Sequence, residues 1–111
     1  VPPAIKISLS EFSGIEKNGQ AFRDQTALSP NSTMLIEIIN IPPVVSFVIL
    51  QVHTQEKEIT IGYSTAFDNK TSVTGSNVGL QLDAKVRQVF VLNKYNESLP
   101  ALVAAVAYTS S

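Results

Sequence analysis

Apolar residues in this chain recur at every second position in short bursts, and the bursts switch on and off roughly every ten to fifteen residues. That rhythm belongs to short strands joined by turns, because successive side chains of an extended backbone point to opposite faces. Ile5, Ile7 and Leu9 alternate with Lys6, Ser8 and Ser10, which predicts a strand from Ala4 to Ser10 with one wet face. Ile59, Ile61 and Tyr63 alternate in the same way within Glu58 to Ser64, and so do Val78, Leu80 and Leu82 before Asp83. Two runs, Ser32 to Ile41 and Val44 to Thr54, are nearly continuous in Ile, Val, Leu and Phe, the pattern of central strands covered on both faces. Pro42 and Pro43 between them cannot donate ladder hydrogen bonds, so the chain must turn or change sheet there. Val86 to Asn93 is a further apolar run, and Ala84-Lys85 before it fits a tight hairpin.

The segments between these runs read as loops. Ser13 to Pro30 carries Gly14, Asn18, Gly19, Asp24 and Ser29, with Phe12, Ile15 and Phe22 as plugs that pin it to the body. Asp68 to Asn77 is a loop by composition. The final segment, Ala101 to Thr109, is ambiguous: four alanines favour helix, while Val103, Val106 and Tyr108 after Pro100 suit a strand. It lacks the amphipathic face that a lone helix needs, so a strand is expected. The set is then about seven strands, and the expected fold is all-β, an antiparallel two-sheet β-sandwich. At 111 residues the chain makes one such module, residues 1–111. With 44% hydrophobic and 15% charged residues, against about 25% charged in ordinary soluble domains, it should fold.

Charge and chemistry exclude whole classes of function. A net charge of -1 lacks the basic footprint that nucleic acid or an anionic membrane surface selects, so neither is an expected partner. Met34 to Leu50 is interrupted by Glu37, Asn40 and two prolines, so direct membrane insertion by this segment is not expected. The opening Val1-Pro2-Pro3 has no basic start and no apolar run, as in a chain whose export signal was removed or never present. The absence of Cys and the single His53 exclude disulfide frameworks, thiolate nucleophiles and multi-His zinc sites; no metal and no cofactor is expected. Gly75-Ser76-Asn77-Val78-Gly79 lacks the Lys and the following helix of a phosphate loop.

Two groups of residues stand out. Gln51, His53 and Gln55 share one face of the second long strand and form a candidate surface patch, or simply a strand end meeting solvent. Catalysis through His53 would need an acid and a hydroxyl beside it, and no motif surrounds it, so no catalytic residue is assigned. Among the acids, Glu56 and Glu58 read as a solvated edge, and Glu37 as an edge residue or a buried, hydrogen-bonded carboxylate. The second group is the Asn-x-Ser/Thr triplets at Asn31, Asn69 and Asn96, where about 1.3 would arise by accident. All three lie between apolar runs, where a glycan can project into water, which suggests a secretory location.

Phe47-Val48-Ile49-Leu50-Gln51-Val52-His53-Thr54-Gln55, the Ser/Thr/Asn-rich loop after it, and Thr74 to Leu80 together carry a likeness to a known family. They resemble the extracellular amino-terminal region of the transmembrane seven superfamily member three family of seven-transmembrane proteins. The Val103 to Ser111 run, ending Tyr-Thr-Ser-Ser, is similar to the last strand of that region, so the likeness spans residues 44–111. Other multi-pass proteins with β-sandwich ectodomains, such as the transmembrane protein eight group, are the alternative relatives. The resemblance implies a glycosylated, non-enzymatic ectodomain on the extracellular or luminal side of a membrane-embedded parent chain, associated with stress response and cell survival, with unidentified protein partners. It carries over no active site. The rivals are a secreted carbohydrate- or ligand-binding sandwich, disfavoured by 7% aromatic content without Trp, and a small enzyme centred on His53.

Overall fold

The computed structural model describes residues 4–8, 18–41, 43, 45–67, 71–83 and 88–109. Among them are nine strands: β1 (Ala4–Ser8), β2 (Asn18–Leu28), β3 (Ser32–Ile39), β4 (Val45–Thr54), β5 (Ile59–Gly62), β6 (Val73–Gly75), β7 (Asn77–Asp83), β8 (Gln88–Asn93) and β9 (Leu99–Thr109). They form a five-stranded sheet ordered β1-β3-β8-β5-β6 and a four-stranded sheet ordered β2-β9-β4-β7. The all-β sandwich expected from the alternation is the fold observed. All pairs are antiparallel except β1 and β3, which run parallel because the chain crosses to the other sheet as β2 between them.

The interior is built from every second residue. In β3, Met34, Ile36 and Ile38 face inward; in β4, Val48, Leu50 and Val52; in β8, Val89 and Val91. Burying each of these side chains contributes about 1.5–3 kcal/mol, which is why the two sheets must meet face to face. The alternate positions Leu35, Ile39, Phe47 and Ile49 are only half-buried. The long apolar runs are therefore central in their sheets but covered on one face rather than two. Glu37 is neither buried nor on an edge strand: it sits on the outer face of β3, in register with Lys6 of β1 and Gln88 of β8.

The alanine-rich last segment is a strand for a packing reason. β9 lies between β2 and β4, and its inward residues Ala101, Ala105 and Ala107 are buried together with Val103. A small side chain fits a buried position that needs little volume, and the ladders on both sides of β9 override the helical preference of alanine.

Three expectations are corrected. The stretch from Ser13 to Pro30 is not all loop: residues 18–28 form the eleven-residue β2, with Phe22 in register with Ala105, while Phe12 and Ile15 lie outside the described residues. Backbone pairing to β9 makes this strand despite its polar sequence, and edge position explains the polarity. Its Asp24 carboxylate accepts a hydrogen bond from the Gln25 amide at 2.8 Å. Within the second supposed loop, Val73–Gly75 pairs with β5, with the Thr60 and Thr74 hydroxyls 2.9 Å apart. Ser76 then carries the chain directly from one sheet into the other as β7. The hairpin expected at Ala84-Lys85 lies outside the described residues, but its two flanking strands do not pair: β7 binds β4, while β8 binds β3 and β5. The connection crosses between sheets, as each strand's inward face requires.

Two polar residues are buried with the core, and both close the same end of the sandwich. Thr54, 2% exposed, donates its amide to the Ser76 carbonyl at 2.7 Å, and its hydroxyl donates to the Lys57 carbonyl. Asn93, fully buried, donates its carboxamide N–H groups to the carbonyls of Leu28 (3.3 Å), Ser29 (3.0 Å) and Glu97 (2.8 Å) and accepts from the Tyr95 amide at 2.9 Å. One side chain thereby fastens the β2–β3 turn to the β8–β9 turn. Two stability outcomes are expected in chemical denaturation. Asn93→Ala strands these buried backbone groups and should cost about 2–4 kcal/mol. Ala105→Leu adds volume at a fully buried position and should cost about 1–3 kcal/mol; a neutral result would show that the space over β9 is not tight.

Candidate functional site

Beyond Ile49 the outer face of β4 changes character. Gln51, His53 and, in the following turn, Gln55 are all exposed, as the alternation predicts once the inward set Val48, Leu50, Val52 and Thr54 is fixed. Gln51 stands between Ala104 of β9 and Gly79 of β7, and His53 between Leu102 and Asn77. Gly79 has a local reason: a Cβ there would lie 3.3 Å from the Gln51 Cγ, so glycine leaves room for that side chain to lie across β7.

The structure brings His53 and Gln55 together and leaves Gln51 apart from them. His53 and Gln55 wall a hollow of about 280 Å³ with Gln25 and Thr26 of β2, over Pro100 and Leu102 of β9. A second hollow of about 240 Å³ adjoins it, sharing Gln55 and Pro100, with Lys57, Glu97 and Ser98 on its walls. Together they make a groove at one end of the sandwich, with polar walls and a partly apolar floor. Its charged rim is held loosely. Lys57 Nζ lies 3.8 Å from Glu97 Oε1 and 5.1 Å from the centre of the Tyr95 ring. Both charged side chains are about half exposed, so each contact is worth no more than about 1 kcal/mol and orients the rim more than it stabilises the fold. The backbone beneath is firm, because Thr54 holds the Lys57 carbonyl and Asn93 holds the Glu97 carbonyl.

Among the described residues no hydroxyl or carboxylate hydrogen-bonds to the His53 ring, and no group of three or more His, Asp or Glu side chains is placed to hold a metal ion. Each of the three tyrosines has a partner. Tyr63 donates its hydroxyl to the Gln81 carbonyl at 3.1 Å, Tyr108 stacks on Phe47 with ring centres 4.9 Å apart, and Tyr95 lies beneath Lys57.

Of the candidate glycan acceptors, Asn69 lies outside the described residues. Asn31 is exposed in the turn between β2 and β3, with a φ of 47°, a left-handed conformation that asparagine tolerates. Asn96 is exposed in the bend between β8 and β9. Although 65 positions apart, the two side chains meet, Asn31 Nδ2 donating to Asn96 Oδ1 at 3.0 Å, and the Asn31 amide donates to the Tyr95 carbonyl at 2.9 Å. Sequence reasoning did not find Gln25, Lys57, Glu97 or the Asn93 clamp. For Asn93 and Thr54 a signal existed: each is a polar residue at inward parity where a strand leaves the core. For the groove walls none existed, since they come from four separate elements.

The TM7SF3-like, N-terminal immunoglobulin-like domain model matches residues 14–108. The match reaches thirty positions further toward the start of the chain than the likeness at residues 44–111, and takes in β2 and β3. No curated protein matches the chain in sequence. Among solved structures, the periplasmic g-type lysozyme inhibitor PliG of Aeromonas hydrophila is similar over 96% of this chain and 99% of its own, with a TM-score of 0.54 at 7% identity. A chain from Bacillus endospore appendages, disulfide-linked pili, covers 86% of this chain and 93% of its own, with a TM-score of 0.47 at 14% identity. At 7% identity the likeness to the inhibitor concerns the fold alone. The match along nearly the whole of the two sheets shows the family: the chain belongs to the TM7SF3-like proteins, as their N-terminal immunoglobulin-like domain.

Proposed function

We propose that this domain is a non-enzymatic, N-glycosylated recognition module on the extracellular or luminal side of a multi-pass membrane protein, and that it binds a protein partner through the groove around Gln55 and Pro100. The observation that carries this reading is the groove itself: an open hollow with His53, Gln55 and Gln25 over Pro100 and Leu102, continuous with a Lys57–Glu97 rim on a firmly hydrogen-bonded backbone. An apolar floor with adaptable polar walls suits a protein segment, which supplies both side-chain bulk and backbone hydrogen-bond groups. Immunoglobulin-like sandwiches present such surfaces as binding sites without chemistry of their own. The likeness of residues 44–111 to transmembrane seven superfamily member three supports a role for that binding in stress response and cell survival.

The test is made in the full-length protein in living cells. His53→Ala with Gln55→Ala should lower proximity labelling of its neighbours on the luminal or surface side by about tenfold, the equivalent of about 1.4 kcal/mol of binding. Stability of the variant should change by less than about 0.5 kcal/mol, since both side chains are exposed. An unchanged set of labelled neighbours, with the variant folded and at normal abundance, rejects the groove as the binding surface.

A further inference from the structure

We infer that Asn31 and Asn96 form one composite glycan site that accepts a single glycan in the folded domain, with Asn31 the asparagine that carries it. The inference rests on the glycosylated reading above and adds to it a rule about occupancy. Asn31 Nδ2 lies 3.0 Å from Asn96 Oδ1, which places the two carboxamide nitrogens within about 5 Å of one another. A sugar ring with its acetamido arm is wider than that gap, so two glycans rooted here must compete for one volume. The turns cannot part to make room. The Asn31 amide is bonded to the Tyr95 carbonyl, and the buried Asn93 carboxamide ties Leu28 and Ser29 on one side to Tyr95 and Glu97 on the other.

The chemistry of attachment explains which asparagine is used. A lipid-linked diphospho-oligosaccharide is the donor. The bond from its anomeric carbon to the diphosphate oxygen breaks, a bond from that carbon to Nδ2 forms, Nδ2 loses one hydrogen as a proton, and the lipid diphosphate leaves. One Nδ2–H remains on the modified asparagine. The Asn31 triplet runs into β3, where Ser32 and Thr33 are paired with Asn93 and Leu92 of β8, so transfer there must precede the docking of β8. Asn31 is also made 65 residues earlier than Asn96. By the time β8 pairs with β3, Asn96 is brought beside an asparagine that already bears its sugar.

The full-length protein, expressed through a eukaryotic secretory route, gives the test. Endoglycosidase trimming leaves one sugar on each modified asparagine, and peptide mass spectrometry reads the fractional occupancy at all three triplets. Occupancies at Asn31 and Asn96 should sum to no more than one, with Asn31 dominant. Thr33→Ala, which abolishes the first triplet and keeps the Asn31 side chain, should raise Asn96 occupancy severalfold, and Asn31→Gln should do the same. A sum well above one, or an Asn96 occupancy that neither variant moves, overturns the composite site. Occupancy at Asn69 with none at Asn31 and Asn96 also overturns it, while leaving the glycosylated reading intact. No sugar at any of the three removes both.

Discussion

Alternate side chains of β3, β4, β8 and β9 have to leave water, and in a chain without cysteine no cross-link shares that task. Everything else in the molecule follows from how the two layers meet this requirement. Inward faces made of Ile, Val and Leu set the register of each pair, because a slip by one residue would turn every buried side chain outward. β9 shows the constraint from the other side. Running through the middle of its sheet, it presents buried alanines inward, and its place between β2 and β4 turns a helix-prone composition into a strand.

The ends of such a sandwich are harder to close than its middle, since backbone groups there leave the ladders while still shielded from water. Thr54 and Asn93 meet that difficulty with side chains that copy the missing backbone partners. Their location has a functional side. The Lys57–Glu97 rim and the Asn31–Asn96 pair sit on turns that these two residues fasten, so exposed features of the domain rest on fully satisfied buried polar groups. Firm loops above a rigid scaffold bind with less loss of freedom than loops that must be ordered first.

Much of this architecture was legible in the sequence. Period-two alternation located the inward residues of β1, β5 and β7, and continuous apolar runs located β3, β4 and β8 without telling their inward face from their outer one; together they gave the all-β sandwich. β2 escaped because its identity comes from hydrogen bonding to a strand some eighty positions away, which no local pattern of polarity records. β6 escaped because three residues are too few to show a period. The hairpin expected at Ala84-Lys85 failed for a related reason: adjacency in sequence suggests pairing, but the choice of sheet is a tertiary matter. In the candidate site, the parity of Gln51, His53 and Gln55 was readable and their exposure followed. That Gln55 and Pro100 would share a hollow, or that Asn31 would touch Asn96, depends on turns brought together only by the closed fold.

The small bond between Asp24 and Gln25 has a consequence for how these domains tolerate crowding. β2 is the longer of the two border strands of its sheet, and a border of that length invites a second chain to continue the ladder. By taking up the Gln25 amide, the carboxylate removes a donor that an incoming strand would need, and it sets a negative charge in that strand's path. Copies brought close together would then repel at this border instead of zipping into a shared sheet.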